Sequence, residues 1–217
     1  PDRAPPRGAP RAELATRITV VPGFAAILRW AQVVTDTSSL EFSNPESAES
    51  WIVFNTSEGG YGTIVPAMRG DWLMIGSLVG MRPETADTCV AGVVRRVTRD
   101  QYNQRRVGIQ ALGPIAVPVT VTSLAASGAP AENSRSAPAL LLQKKPDRNG
   151  EISLLLRAGG YVHHRQILMQ LHRSYKLAPV ALKEAGEDYD WARFMLDQYQ
   201  LHQRVSDVLF SPVQGQL

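Results

Sequence analysis

The sequence predicts a mainly-β protein: a small β-barrel carrying one short inserted helix, followed by a second small β domain. Three observations predict it. Runs of β-branched and apolar residues stay short and are broken by turn-forming residues at close intervals, which suits a small barrel or sandwich and not a parallel α/β sheet. A single stretch near the N-terminus repeats its apolar residues at helical spacing. A small, polar, proline-containing stretch at residues 125–136 separates two β-rich regions and reads as a linker.

Residues 1–16 are rich in proline and arginine and read as a flexible arm. Ile18-Thr19-Val20-Val21 is β-branched and reads as a strand, stopped by Pro22-Gly23. Phe24, Ile27, Leu28 and Ala31 fall at helical spacing and predict a short amphipathic helix over 24–34, followed by a polar stretch at 35–50. Strands are then expected at 51–54, 62–65, 73–81, 89–97, 106–112 and 115–121, with a charged loop at 98–105. Residues 17–124 together make the expected barrel, and residues 137–217 the second domain. In that domain, runs at 139–143 and 151–157 flank Pro146-Asp147-Arg148-Asn149-Gly150, whose residue types supply the turn a hairpin needs. Further strands are expected at 166–171 and 175–182, and Tyr189, Trp191 and Arg193 suit a strand leading into a C-terminal helix. No repeat shows at a fixed period, although two consecutive β units leave an internal duplication open.

Composition bounds the function. Apolar residues make up 44% and charged residues 20%, as in ordinary globular proteins, and the longest apolar runs, such as 139–142, are far too short to span a bilayer. Pro1 follows no initiator methionine, so the chain is expected to be a piece of a longer one. A formal charge of +3 does not demand nucleic acid, but the arginines cluster, notably at Arg95-Arg96-Arg99 and Arg105-Arg106, as a phosphorylated ligand would favour. On a regular strand, Arg95 and Arg96 would point to opposite faces. The lone Cys89 leaves no internal disulfide or thiolate zinc cluster, fits a reducing, cytoplasmic setting, and beside Val90 and Ala91 reads as a buried structural thiol.

Familiar catalytic patterns are missing. There is no phosphate-binding Gly-x-x-x-x-Gly-Lys, no Gly-x-Gly-x-x-Gly and no Gly-x-Ser-x-Gly. His163-His164 reads as a solvated turn after Gly160, and with only His172 and His202 besides, no metal site is expected. Glu187, Asp188 and Asp190 sit in a polar, turn-like stretch without a visible cleft. The reading is therefore of a non-enzymatic chain with no catalytic residues and no cofactor.

The positive signal is Asn55-Thr56-Ser57-Glu58-Gly59-Gly60-Tyr61-Gly62, directly after the strand at 51–54. Asn and Ser can bond backbone in a tight turn, and glycines permit left-handed conformations and close approach of a ligand; a plain turn would use the same residues. Asn55-x-Ser57-x-x-Gly60 matches the [Asp/Asn]-x-Ser-x-x-Gly signature, and over residues 17–124 the chain resembles the PilZ domains, small bacterial barrels that bind cyclic di-GMP. Gly76-Ser77-Leu78-Val79, Gly92-Val93-Val94-Arg95-Arg96-Val97 and Arg106-Val107-Gly108-Ile109-Gln110 resemble later segments of that family. Arg7-Gly-Ala-Pro-Arg11 has the form of the family's arginine element, and the long spacing from Arg11 to Asn55 is accounted for by a helix-containing insertion. The resemblance implies a regulatory, ligand-sensing module in which Arg7, Arg11, Asn55, Ser57 and Gly60 bind cyclic di-GMP, working with a protein partner or the rest of a longer chain. It does not extend to the second domain. Two other readings stay open: a PilZ-like scaffold that binds only protein partners, and a nucleic-acid or flavin-binding small barrel. Against nucleic acid, the arginine clusters lack interleaved aromatics apart from Tyr102.

Overall fold

The structure, a computed structural model, describes residues 12–35, 47–57, 59–66, 70–84, 86, 88–125, 127–129 and 135–197. Its strands close into two six-stranded barrels. The first holds β1 (Ala12–Pro22), β2 (Glu49–Ser57), β3 (Gly60–Val65), β4 (Leu78–Pro83), β5 (Val90–Arg99) and β6 (Arg105–Ala111), with α1 (Phe24–Thr35) between β1 and β2. The second holds β7 (Val117–Ser123), β8 (Ala137–Leu141), β9 (Glu151–Arg157), β10 (Ile167–Gln170), β11 (Ser174–Ala185) and β12 (Tyr189–Leu196). Around the first barrel the order is β1-β2-β3-β6-β5-β4, and around the second β7-β8-β9-β12-β11-β10. The two orders are the same, step for step, so the architecture is internally duplicated.

Period-two alternation explains each interior. Ala192, Phe194 and Leu196 of β12 face inward against Ile152, Leu154 and Leu156 of β9. In the first barrel Ile18 and Val20 do the same opposite Trp51 and Val53. Glu49 closes one end of that barrel, its carboxylate accepting the indole N–H of Trp51 at 2.9 Å and of Trp72 at 3.4 Å. The β8–β9 turn forms as its residue types predict: Asp147 Oδ1 accepts the N–H groups of Asn149 and Glu151, and Gly150 takes the left-handed φ of 78°.

A third core joins the barrels. Ala25, Arg29 and Gln32 form the exposed stripe of α1, while Phe24, Ala26, Ile27, Leu28, Trp30 and Ala31 are buried. They pack in one cluster with Leu78, Ala91 and Val93 on the outside of the first barrel and Leu140, Leu142 and Leu155 on the outside of the second. Across the same seam Asp188, in the β11–β12 turn, accepts the Phe24 N–H at 2.6 Å and caps the helix. No helix among the described residues is long and apolar enough to cross a membrane.

Several sequence-based boundaries move. Residues 125–136 are the β7–β8 connection within the second barrel, and the strand expected at 115–121 is β7, paired with β8 and β10. The barrels are instead joined through 112–116, where Leu112, Ile115 and Ala116 are buried and the Leu112 and Ala116 N–H groups donate to Ala91 and Cys89 carbonyls. A Cβ on Gly113 would lie 2.1 Å from the Leu142 carbonyl oxygen, so this joint is core rather than linker. β1 begins at Ala12, inside the expected arm, because residues 12 and 13 pair with β2. The strand expected at 73–81 starts only at Leu78, since Gly76 at φ 92° and a Ser77 N–H bond to the Met74 carbonyl close a turn first. The expected C-terminal helix falls within residues 198–217, outside the described residues.

Candidate ligand-binding site

The signature residues Asn55, Ser57 and Gly60 come together at the tip of the β2–β3 hairpin. β2 runs on through Ser57, which pairs with Gly60, so Asn55 and Ser57 lie on the strand and not in a loop after it. A register shift between Val53 and Asn55 accompanies a change of side: Val53 stays in the barrel interior, while Phe54 and Asn55 both line an outer trough. The hairpin is tied to β6 by the Ala111 N–H, which donates to the Gly59 carbonyl at 3.1 Å.

The floor of the trough is bare backbone. Gly62 pairs with Gly108 across β3 and β6, and Gly60 with Gln110. A Cβ on Gly60 would stand 2.2 Å from the Ile109 carbonyl oxygen, so that position requires glycine, whereas one on Gly62 would stand 2.3 Å from Asn55 Oδ1 and would push the Asn55 and Phe54 side chains aside. Gly108 is different: its added Cβ would meet only Arg96 Cβ, at 3.4 Å. The resulting cavity of about 470 Å³ is walled by Phe54, Asn55, Ser57, Arg95, Arg96 and Arg106, and no Asp or Glu lines it among the described residues.

The three arginines are held in different ways. Val94 and Val97 both face the interior of the first barrel, yet Arg95 and Arg96 between them are both exposed. A bulge between Val94 and Arg96 accounts for this, setting both side chains on the outer face where a regular strand would have split them. Arg96 makes no side-chain hydrogen bond or ion pair among the described residues. Arg95 donates from Nε to Gln110 Oε1 at 2.8 Å and from Nη1 to Glu184 Oε1 at 2.8 Å, with a second bond from Nη2 to Glu184 Oε2. Glu184 belongs to β11, so this fork spans the two barrels, and Tyr189 adds its hydroxyl to the same carboxylate at 2.8 Å. The Arg95 hydrogen bond holds the Glu184 carboxyl below the ordinary glutamate range, whereas burial pushes the Tyr189 hydroxyl well above its own. Arg106 lies 4.9 Å over the Phe54 ring and donates to Asp100 at 3.1 Å.

Compared with known protein families, characterised proteins and solved structures, the chain finds no match.

Arg7 and Arg11 lie outside the described residues. Ala12, which follows Arg11, pairs with Thr56, so the chain enters β1 beside the signature. Arg95, Arg96, Arg106, Phe54 and Gly108 belong to the trough without belonging to the signature; the clustering of arginines and the resemblance of segments 92–97 and 106–110 to the same family were the sequence signals for all but Phe54. Elsewhere, Cys89 is buried in the shared core and burial pushes its thiol up to about 12, which keeps it unreactive. His163 and His164 stand exposed on a turn, and among the described residues no three His, Cys, Asp or Glu side chains are grouped to hold a metal. Asp188 and Asp190 accept backbone N–H groups of Phe24 and Tyr161, so both are structural.

Proposed function

We propose that the chain is a regulatory, ligand-sensing module of PilZ type whose outer trough takes cyclic di-GMP. The observation that carries this reading is the trough itself: three arginines and no described acid over a glycine floor, beside Asn55 and Ser57. Arginine's planar fork bonds phosphate oxygens in pairs and also matches O6 and N7 of guanine. Bare backbone at Gly108, where an added Cβ would meet only Arg96 Cβ, leaves room for a flat base to lie against the sheet, while the Asn55 amide already lies over Gly62. Arg11 immediately precedes the residue paired with Thr56, which favours the arm's Arg7 and Arg11 as the ligand's further cations. The groups around the trough are amide, hydroxyl and guanidinium, suited to holding an anion rather than to breaking bonds, and such a module would work in the cytoplasm. One observation favours the alternative of a scaffold that binds only protein: Arg95 is already committed to Glu184.

Titration calorimetry of the whole chain with cyclic di-GMP, beside GMP and ATP, tests the reading. Saturable heat is expected with cyclic di-GMP alone. Arg11→Ala should weaken it by about ten- to a hundredfold, the loss of one bidentate pair at ~1–3 kcal/mol. Gly108→Leu should fill the trough and abolish binding while leaving the thermal midpoint nearly unchanged. Absence of heat would leave the scaffold reading, and binding that survives loss of both Arg7 and Arg11 would move the contacts to Arg95, Arg96 and Arg106.

A further inference from the structure

At the far end of the same sheet face, the β5–β6 hairpin closes through a tip whose shape is fixed throughout. Asp100 Oδ1 accepts the N–H groups of Tyr102 and Gln104, each at 2.9 Å, and Oδ2 accepts Arg106 Nε at 3.1 Å. The Asp100 backbone carbonyl accepts the Asn103 N–H at 2.9 Å, and its own N–H donates to the Gln104 carbonyl at 3.0 Å. Arg99 donates to the Asn103 carbonyl and side-chain oxygens at 3.3 and 3.0 Å, holding Asn103 at a left-handed φ of 60°. Desolvation raises the Asp100 carboxyl, but the donors from Gln104, Arg106 and Tyr102 outweigh it and hold the group below its ordinary value, so it stays ionised at neutral pH.

What this rigid tip presents is Tyr102, 73% exposed and making no side-chain hydrogen bond or ring contact among the described residues. Nothing described in the fold needs the ring where it stands. Beside it runs a groove of about 720 Å³ with Ile52 and Ile64, a cross-strand pair on the outer face, among its lining and Arg99 and Arg105 at its edge; Asp71 also borders it. Across residues 95–106 the hairpin carries Arg95, Arg96, Arg99, Arg105 and Arg106 against Asp100, and its charge stays positive even with Glu184 counted against Arg95.

From this tip and groove we propose a docking surface for an acidic peptide segment of a partner protein, with Tyr102 as the anchor and the isoleucine pair seating an apolar side chain. Tyr and Arg dominate the energetics of protein interfaces, and an anchor already fixed in place loses little freedom on binding. The excess of arginine selects and steers a negatively charged partner. Nucleic acid fits less well, because single-strand binding uses a succession of stacking aromatics and no aromatic lines this groove, Tyr102 standing alone on the tip next to the lining residue Asn103. Tyr102 and the groove-edge Arg99 and Arg105 do not line the trough, so variants at them report on this surface separately.

Fluorescence anisotropy of the whole chain tests it, with a labelled ten-residue peptide alternating glutamate pairs and single leucines as the probe. Saturable binding is expected. Tyr102→Ala should weaken it about tenfold, with the thermal midpoint unchanged because the ring is exposed. Arg105→Glu should weaken it at least as much, while Leu182→Ala, at an exposed position of the second barrel, should leave it unchanged. Failure to saturate overturns the proposal, as does an affinity indifferent to both hairpin variants. So does tighter binding of an oligothymidylate that is lost with those variants, which would assign the surface to nucleic acid.

Discussion

The two barrels share strand order and pairing, yet the same outer face is treated oppositely in each. In the first, β3 and β6 bring Gly60, Gly62 and Gly108 together and leave a trough. Counted from the start of the third strand, the second barrel has Glu151 and Ser153 where the first has Gly60 and Gly62, and Arg193 opposite Ser153 where Gly108 lies opposite Gly62. Glu151 is buried and sits 2.8 Å from Arg193, so this face is filled by an ion pair. An open trough on this fold is thus made by removing side chains from strands, at about 0.5–1 kcal/mol per strand-interior glycine, without any added loop.

The comparison can be broken most severely at the element both barrels share. Trp30→Ala in α1 should cost about 3–5 kcal/mol, and urea unfolding followed by probes in each barrel should still show one coincident transition. Two separated transitions would mean that the barrels are independent domains. A smaller effect separates the filled face from the open one. Glu151→Ala should cost about 2 kcal/mol, below the ~3–5 expected of a fully buried pair because Arg193 is 37% exposed, whereas Gly108→Leu should stay within about 0.5 kcal/mol. Equal effects on denaturant midpoint would erase the distinction. Smallest is the clamp between barrels: Glu184→Gln should lose about 1 kcal/mol or less at neutral pH, since both partners are partly exposed. Its sign follows from the depressed carboxyl. The unfolded chain binds the proton more readily, so the stabilisation is full above the ordinary glutamate pKa and fades as pH falls through the lower folded value. Thermal midpoints of the native chain and Glu184→Gln should therefore begin to converge only once pH falls below the ordinary glutamate pKa of about 4.3.

Much of this was legible in the sequence, where local chemistry dictates local shape. Pro22-Gly23 ends β1, helical spacing starts α1 at Phe24, and Asp147 to Gly150 builds the β8–β9 turn, all from residues within a few positions of one another. The joint between barrels was not legible, because residues 125–136 look like a linker by composition while the true connection at 112–116 is apolar and buried by distant strands. The direction of Arg95 and Arg96 was hidden for a related reason: the bulge that turns both outward is a property of pairing between β5 and β6, and two adjacent arginines carry no sign of it. In the trough, the asparagine–serine–glycine pattern marked one wall. The other wall comes from strands some 40 to 50 positions away, brought alongside only by barrel closure.

The cap on α1 also sets a schedule for synthesis. Phe24 and the Asp188 carboxylate that accepts its N–H are 164 positions apart in the chain. At roughly 5–20 residues per second, the helix is made about ten to thirty seconds before its cap exists. For most of that interval, until residue 155 is made, Trp30 and its apolar neighbours lack the full set of Leu140, Leu142 and Leu155 side chains that cover them, and the nascent first barrel carries a sticky flank. The half of the protein translated first is therefore finished only when the turn before β12 has left the ribosome.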